Sequence, residues 1–322
     1  MARIVTRVDS EPSLHDEAAR AGWLYYLGGL TQDQIATELG VSRQRAQRLV
    51  SRAVAEGLIH VRLNHSLAAC LHLEAALTRM FNLVRCRVAP GLGSGADTAR
   101  ATSAVAATLL ESYLAQPEPL TIALGTGRSL SAMAGELQTQ KVERHKIVSL
   151  IGNISPDGSA TFFDVVPRVA DKLHAPYFPM LVPVVSASKE ERALFQTLRP
   201  VQMAYELAKA ADVSFVGVGQ MGDDAPIWLD GFMTKDELTY LQSLGAAGEI
   251  VGCIYDHQGK YIETAGTATR GGVKIEAGRE ADVIGVAAGL SKVAAIRAAL
   301  KGRILNGLVT DEPTAIAILQ QD

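Results

Sequence analysis

The sequence predicts an α/β protein in two parts: a small N-terminal helix-turn-helix domain and a larger, Rossmann-like, mainly parallel α/β domain. Two observations carry this prediction. Residues 31–56 contain two short helical segments joined by a turn with a glycine. From Val84 onward, short apolar runs alternate with amphipathic helical stretches, which is typical of parallel strands joined by right-handed crossovers. We place the boundary after residue 64, giving domains 1–64 and 65–322.

The composition limits the class of protein. The 322 residues are 48% hydrophobic and 20% charged, so the chain can bury sizeable cores and is not disordered. The net charge of −3 is close to neutral and indicates no partner by itself. The cysteines Cys70, Cys86 and Cys253 lack the spacing of a zinc site, so we expect free thiols and no metal. The chain shows no signal core and no apolar run of membrane-spanning length, so we expect a cytoplasmic protein.

The first two helices are recognised by their ends. Residues 14–30 are amphipathic at helical spacing. Thr31, with Gln34 three residues later, forms a capping-box pattern that opens a short helix over residues 32–39. Gly40 then ends that helix.

A third helix and an extended segment follow. Ser42 is an N-cap for a helix that runs to about Glu56. Residues 58–63 alternate apolar and polar side chains, which predicts a strand or wing. Residues 67–83 are again helical in pattern and are expected to link the two domains.

The helix after Gly40 has an outer face without acidic residues. Its apolar residues, including Ala46 and Leu49, are expected to face a small core. The candidate DNA contacts are Thr31, Gln32, Ser42, Arg43, Gln44, Arg45, Gln47 and Arg48. Arginine and glutamine can reach guanine and adenine edges, and a helix N-terminus can hold a phosphate. The pattern therefore indicates binding to double-stranded DNA, against the alternative of a helical hairpin with a solvated basic face.

The second domain is predicted from eight apolar runs. They cover residues 84–90, 120–127, 146–153, 179–186, 212–219, 249–256, 281–289 and 305–311. Ligands of parallel α/β sheets bind beyond the carboxyl ends of the strands, so we consider the residues that follow each run. The candidate ligand contacts are Gly125, Thr126, Gly127, Arg128, Ser129, Asn153, Asp164, Gly217, Gly219, Asp256 and Lys292.

The most distinctive of these stretches is the turn GTGRS, residues 125–129, which precedes a helix. It fits a phosphate or a polyhydroxyl ligand. It lacks the third glycine of a dinucleotide site and the lysine of a P-loop, so we expect no nucleotide cofactor. Asp256, followed by Gly259, would equally suit a hairpin turn.

No convincing catalytic set is present. The seven histidines are scattered, and His257 alone lies near the proposed site, beside Asp256. The sequence has no G-x-S-x-G, H-E-x-x-H or C-x-x-C motif. We therefore expect a binding protein and not an enzyme.

Taken together, these stretches resemble the SorC family of bacterial sugar-responsive transcription regulators. The resemblance covers nearly the whole chain and rests on TQDQIATELGVSRQRAQRLV, IALGTGRSL, FVGVGQMG, CIYDHQGK and GLSKVAAIRAALKGRILNGLVTDEPTAIAIL. It implies a helix-turn-helix joined to a domain similar to sugar-phosphate isomerases, without their activity. It also implies a tetramer whose hold on an operator is changed by a sugar or phosphosugar effector.

Carried over by position, the resemblance assigns an effector phosphate to Gly127, Arg128 and Ser129, hydroxyl contacts to Asp256 and a charged contact to Lys292. Two positions depart from the family pattern. Ala288-Gly289 replaces a frequent glycine pair, and Arg128-Ser129 replaces two adjacent hydroxyl residues. A free sugar or polyol therefore stays open beside a phosphorylated effector.

The prediction is thus a DNA-binding regulator of a carbohydrate or polyol operon. One alternative is a sugar-phosphate isomerase or deaminase with an appended DNA-binding module. Such an enzyme needs an acid–base pair across its pocket, and the sequence offers Asp164, Asp256 and His257. A second alternative uses the N-terminal helices for protein contact, which would favour a more apolar outer face.

Overall fold

The structure is a computed structural model that describes residues 13–59, 67–93, 97–160 and 164–320. The chain divides into two compact units, Met1–Asn64 and His65–Asp322. The loose tail expected over residues 1–12 and most of the expected wing lie outside the described residues.

The first unit contains the predicted helix-turn-helix. Its helices are α1 (Leu14–Tyr26), α2 (Gln32–Leu39) and α3 (Arg43–Ala55). The capping box is formed, because the Thr31 amide donates to Gln34 Oε1 at 2.8 Å and the Gln34 amide donates to Thr31 Oγ1 at 3.4 Å. Gly40 adopts a left-handed conformation, with φ of 63°, and so turns the chain between α2 and α3.

A small apolar core holds these three helices together. Ile35 of α2 and Leu49 of α3 are buried, and each contributes about 1.5–3 kcal/mol through burial. A Cβ atom at Gly22 of α1 would lie 2.8 Å from Ala53 Cβ of α3. The two helices therefore cross at a distance that requires a glycine.

The second unit is built on a seven-stranded parallel sheet in the order β1-β10-β9-β5-β2-β3-β4. Its strands are β1 (Arg85–Ala89), β2 (Thr121–Leu124), β3 (Lys146–Ile154), β4 (Tyr177–Pro183), β5 (Val213–Gly217), β9 (Asp282–Val286) and β10 (Gly307–Asp311). The predicted mainly parallel α/β fold is confirmed. From β2 the order runs to β3 and β4, and from β5 it runs the other way to β9 and β10, with β1 at the far edge. The topological switch point, where such folds bind ligands, thus lies between β2 and β5.

Helices cover this sheet. They are α4 (Ala68–Phe81), α5 (Thr98–Leu114), α6 (Arg128–Glu136), α7 (Val166–Leu173), α8 (Lys189–Thr197), α9 (Arg199–Lys209), α10 (Pro226–Leu229), α11 (Lys235–Ser243), α12 (Val293–Lys301) and α13 (Glu312–Gln320). Short 3-10 turns occupy Thr267–Thr269 and Leu290–Lys292. The expected linker helix, α4, buries Cys70 and Leu77 in the core of this unit. No helix among the described residues is long and apolar enough to cross a membrane.

One predicted strand is wrong. The run 249–256 is not a single parallel strand but part of a hairpin between β7 (Ala246–Ile250) and β8 (Cys253–Asp256). The turn residues Val251 and Gly252 both have positive φ, 47° and 81°, which a two-residue hairpin turn requires. With β6 (Gly219–Gln220), these strands form a separate three-stranded antiparallel sheet. An apolar run alone does not reveal such a turn, because valine rarely adopts this conformation.

Candidate functional site

The N-terminal unit presents a basic helix face. The six candidate residues from Ser42 to Arg48 are exposed, as is Thr31, while Gln32 is partly buried. Ser42 caps α3, because its Oγ accepts a hydrogen bond from the Arg45 amide at 3.2 Å. The first turn of α3 contains no acidic residue. The helix dipole and the arginines therefore both contribute positive potential at the N-terminus of α3.

Two of these arginines have acidic partners within the unit. Arg43 Nε lies 3.3 Å from Asp33 Oδ1, and both side chains are about two-thirds exposed, so this pair is weak. Arg45 NH2 lies 2.8 Å from Glu17 Oε2 and so connects α3 to α1. Arg48 forms no ion pair with any described residue. It therefore remains available to an external anion.

In the second unit, the glycine turns after β2 and β5 lie side by side at the switch point. The Gly125 amide donates to the Phe215 carbonyl at 2.9 Å. A Cβ atom at Gly217 would lie 3.5 Å from the Thr126 carbonyl oxygen. Gly127 then opens α6 with φ of 120° and without a side-chain cap. Ligands of such folds bind beyond these strand ends, and we call this place the switch-point crevice.

Lys292 lies beyond the carboxyl end of β9, immediately before α12. Burial lowers the pKa of Lys292, Glu249 raises it, and Arg128 lowers it further, so both neighbours are within electrostatic reach. Burial also raises the pKa of Glu249, against the opposing effects of the Gly252 amide, Arg270 and Lys292. Glu249, which the sequence prediction did not name, is therefore a candidate crevice carboxylate, placed beside Gly219 by the pairing of β6 with β7. Its signal was an acidic residue opening the otherwise apolar run EIVGCIY.

The hairpin tip explains two further glycines. Gly219 of β6 pairs with Glu249 of β7, and a Cβ atom at Gly219 would lie 2.8 Å from Glu249 Oε2. A Cβ atom at Gly125 would lie 3.3 Å from Val251 Cγ1. The absence of side chains at both positions thus leaves room for the carboxylate and for the hairpin tip.

Asn153 and Asp164 form a second group at the same end of the sheet. Burial raises the pKa of Asp164, opposed by hydrogen bonds from the Val166 amide and the Asn153 side chain. Asn153 Oδ1 is buried and finds no hydrogen-bond partner in the part of the chain that the structure describes. Arg168 of α7 donates to Ser131 of α6 at 2.5 Å. Asp164 and the glycine turn thus lie at the N-termini of two connected helices.

The structure does not bring Asp256 to the crevice. Its carboxylate accepts hydrogen bonds from the Gln258 and Lys260 amides, at 2.8 and 2.9 Å, and so closes a turn. Gly259 of this turn packs against Gly302, beyond the end of α12 opposite Lys292. Because the run 249–256 is a hairpin, Asp256 does not follow a strand of the parallel sheet. The hydroxyl contact expected at Asp256 stays a prediction, but its carboxylate is engaged within its own turn and lies away from the carboxyl edge of the parallel sheet.

Arg128 already has a partner. Its NH2 and NH1 atoms donate to Asp230 Oδ1 and Oδ2 at 2.7 and 3.1 Å, a bidentate pair. Asp230 directly follows α10 and was not predicted to be a site residue. The described residues also contain no group of three His, Cys, Asp or Glu side chains that could hold a metal ion.

Both units match known protein families. Residues 65–320 match the sugar-binding domain family Sugar-bind, and residues 21–64 match the MarR family. The described basic helix lies in the second match, and the switch-point crevice lies in the first.

Relatives with known roles cover almost the whole chain. The erythritol catabolism regulatory protein EryD of Brucella abortus is 32% identical over 313 residues, which is 97% of this chain and 98% of EryD. The transcriptional regulator LsrR of Escherichia coli K12 is 32% identical over 311 residues, 95% of each chain. These relatives are regulators, so the prediction of a regulator, and not of an isomerase with an appended module, is confirmed.

A solved structure supports the same assignment. The full-length sorbitol operon regulator SorC from Klebsiella pneumoniae superposes with a TM-score of 0.71 at 25% identity, covering 94% of this chain and 98% of SorC. A DeoR family transcriptional regulator from Listeria monocytogenes shares the fold, with a TM-score of 0.71 at 20% identity over 78% of this chain. The chain therefore belongs to the SorC family of sugar-responsive transcription regulators.

Proposed function

We propose that α3 reads operator DNA through the major groove, with Ser42, Gln44, Gln47 and Arg48 as the principal contacts. The observation that carries this proposal is the exposed, acid-free first turn of α3. Arg43 and Arg45 contribute charge, although each shares it with an acidic residue. Thr31 and Gln32, at the start of α2, lie where the first helix of such a motif meets the DNA backbone.

The effector site of the proposed regulator is the switch-point crevice. Its floor is Gly125–Ser129 with Gly217 and Gly219, and its charged groups are Lys292 and Glu249. Asn153 and Asp164 extend it along β3. The observations that support this site are the place of Glu249 Oε2, 2.8 Å from where a Cβ atom at Gly219 would lie, and the position of Lys292 beyond the carboxyl end of β9. Amides, a cation and carboxylates placed together suit a ligand rich in hydroxyl groups.

The effector belongs to the sugars, polyols or sugar phosphates, and the regulated genes serve the breakdown of such a compound. The name of EryD, an erythritol catabolism regulator that is 32% identical to this chain, supports a polyol. We further propose that the protein acts in the cytoplasm as a homotetramer, so that paired α3 helices read the two halves of a palindromic operator.

Effector binding changes operator affinity by favouring one arrangement of the subunits. A coupling free energy of about 1–3 kcal/mol is typical of such regulators. This coupling needs no bond chemistry, since differential affinity for two states is sufficient.

The test combines a thermal-shift screen with operator binding. Purified protein is screened against sugars, polyols and their phosphates, since a ligand of the folded state raises its melting temperature. Lys292→Ala should abolish the shift and the effector response while DNA binding persists. Lys301→Ala, which changes an exposed lysine at the other end of α12, is the matched control. An undiminished response in Lys292→Ala would reject this effector site.

A further inference from the structure

The Arg128 guanidinium, which sequence similarity assigns to an effector phosphate, is occupied by a carboxylate of the same chain. Two parallel hydrogen bonds, at 2.7 and 3.1 Å, join it to Asp230. The fork of an arginine matches the two oxygens of a carboxylate as well as it matches a phosphate. Asp230 thus stands where a phosphate of the effector would have to bind.

Packing and a backbone hydrogen bond of the α10 segment hold Asp230 in place. The α10 segment packs through Ile227 and Trp228 onto a small apolar cluster that includes Met221 and Leu238. The Asp230 amide donates to the Pro226 carbonyl at 2.8 Å. The backbone at Asp230 is therefore fixed by an ordered turn that follows a helix, which limits where its carboxylate can lie.

The turn is also fixed on its other side. Two residues after Asp230, the Phe232 carbonyl accepts a hydrogen bond from Arg270 NH1 at 2.9 Å. Arg270 is 3% exposed, and its NH2 lies 2.7 Å from Glu237 Oε1. A buried arginine with two fixed partners is costly to displace, because breaking a buried pair leaves a charge uncompensated. Asp230 would therefore remain beside Arg128 when a phosphate approaches.

Among the described residues at this end of the sheet, the cations Lys292 and Arg168 are matched by the carboxylates Glu249 and Asp164. Glu249 raises the pKa of Lys292 and so lies within its electrostatic reach, and the Asp164 carboxylate accepts a hydrogen bond from the Val166 amide at 3.3 Å. Carboxylates accept hydrogen bonds and do not donate them, and buried Asn153 Oδ1 is another acceptor. These acceptors complement the hydroxyl donors of a polyol, whereas a phosphate dianion would be repelled by the carboxylates.

We propose that Asp230 is a specificity-determining residue, an internal anion that pairs with Arg128 and selects uncharged sugars or polyols over their phosphates. This inference rests on the proposed effector site and specifies its ligand class. Arg128 accordingly stabilises the α10 turn and makes no contact with an effector phosphate.

The experiment uses full-length wild-type protein, Asp230→Asn and Asp223→Asn. Asp223 is the matched control, because it lies in the same segment and forms an exposed ion pair with Lys235 at 3.0 Å. The probes are inorganic phosphate, a free tetritol, a free pentitol and the terminal monophosphates of both polyols. Dissociation constants are measured by calorimetry, and melting temperatures are recorded in parallel.

Wild type should bind a free polyol more tightly than its monophosphate. Asp230→Asn should bind inorganic phosphate and the monophosphates up to about fivefold more tightly than wild type, as expected when an exposed ion pair no longer competes. Asp223→Asn should match wild type. The double variant Asp230→Asn, Arg128→Ala should lose the gain, which would show that the freed guanidinium causes it.

Two results would overturn the inference: a wild-type preference for monophosphates, or an Asp230→Asn variant with no more phosphate affinity than Asp223→Asn. The phosphate measurements need neither operator nor identified effector. If none of the carbohydrates changes operator binding, the proposed function is contradicted. The change in phosphate affinity of Asp230→Asn still tests the role of Asp230 in that case.

Discussion

Arg45 of the proposed recognition helix α3 donates to Glu17 of α1 across a distance of 2.8 Å. One of the arginines that the sequence assigned to DNA therefore also holds two helices of its own unit together. The pair is partly exposed, with side-chain exposures of 49% and 27%, so its net stabilisation is about 0–1 kcal/mol. A DNA phosphate can compete with Glu17 for this guanidinium.

Glu17→Gln should strengthen DNA binding slightly. The substitution frees Arg45, so the dependence of log affinity on log salt should steepen by about one phosphate contact, and stability should fall by less than about 1 kcal/mol. Fluorescence anisotropy on operator DNA over a salt series measures the slope. Glu38→Gln, an exposed position on α2, is the control. Weaker DNA binding by Glu17→Gln would show that Glu17 positions Arg45 for DNA.

Arg48→Ala should weaken operator binding without loss of stability. Arg48 is exposed and forms no ion pair with a described residue, so its removal takes away a DNA contact and little else. A base contact of this kind is worth about 1–3 kcal/mol of discrimination between operator and unrelated DNA. Competition binding measures this ratio, and Arg20→Ala on α1 provides the control. If Arg48→Ala and wild type show the same ratio of operator affinity to affinity for unrelated DNA, Arg48 makes no base contact.

Ile35→Ala should unfold the N-terminal unit selectively. Ile35 is fully buried in the small core of that unit, and such a truncation costs about 2–5 kcal/mol. DNA binding should be lost, while the effector-dependent rise in melting temperature of the second unit persists. Circular dichroism and the thermal-shift assay together report both effects. Loss of the effector shift as well would show that the two units fold as one.

Gly219→Ala should disable the effector site. The added Cβ atom would lie 2.8 Å from Glu249 Oε2 and displace that carboxylate, while the backbone at Gly219 is not left-handed and accepts alanine. Effector affinity should fall on the order of tenfold, as for loss of a charged hydrogen bond. Gly135→Ala in α6, where a Cβ atom meets nothing within 4 Å, is the control. Unchanged calorimetric affinity in Gly219→Ala would exclude Glu249 from the site.

Asp164→Asn should stabilise the second unit at neutral pH. Burial raises the pKa of Asp164, so its charged form destabilises the folded state at pH above that raised pKa. This penalty disappears as pH falls below the unfolded value of 3.8, where both states are protonated. The melting temperature of Asp164→Asn should exceed that of wild type at pH 7, and the difference should shrink toward acidic pH. If the difference in melting temperature grows as pH falls, burial of the charged Asp164 carboxylate is not the cause.

The sequence placed residues correctly where an apolar run was a strand of the parallel sheet. Lys292 follows β9 and the turn from Gly125 follows β2, so both lie at the carboxyl edge as expected. Asp256 lies away from that edge because Val251 and Gly252 fold the run into a hairpin, and a β-branched residue in the left-handed region gives no signal in sequence. Glu249 was missed for the same reason. Asp230 was missed because its role depends on a contact with a residue 102 positions away.

The ion pair between Arg128 and Asp230 also bears on how ligands are inferred among relatives. The glycine turn and the residue that sets its charge preference lie in different segments of the chain, so they can vary independently. A relative could keep the whole GTGRS stretch and change the charge of its ligand through the position of Asp230 alone. A shared GTGRS motif therefore does not imply a shared ligand. Assigning a ligand to a family member also requires the identity of the residue that pairs with the arginine.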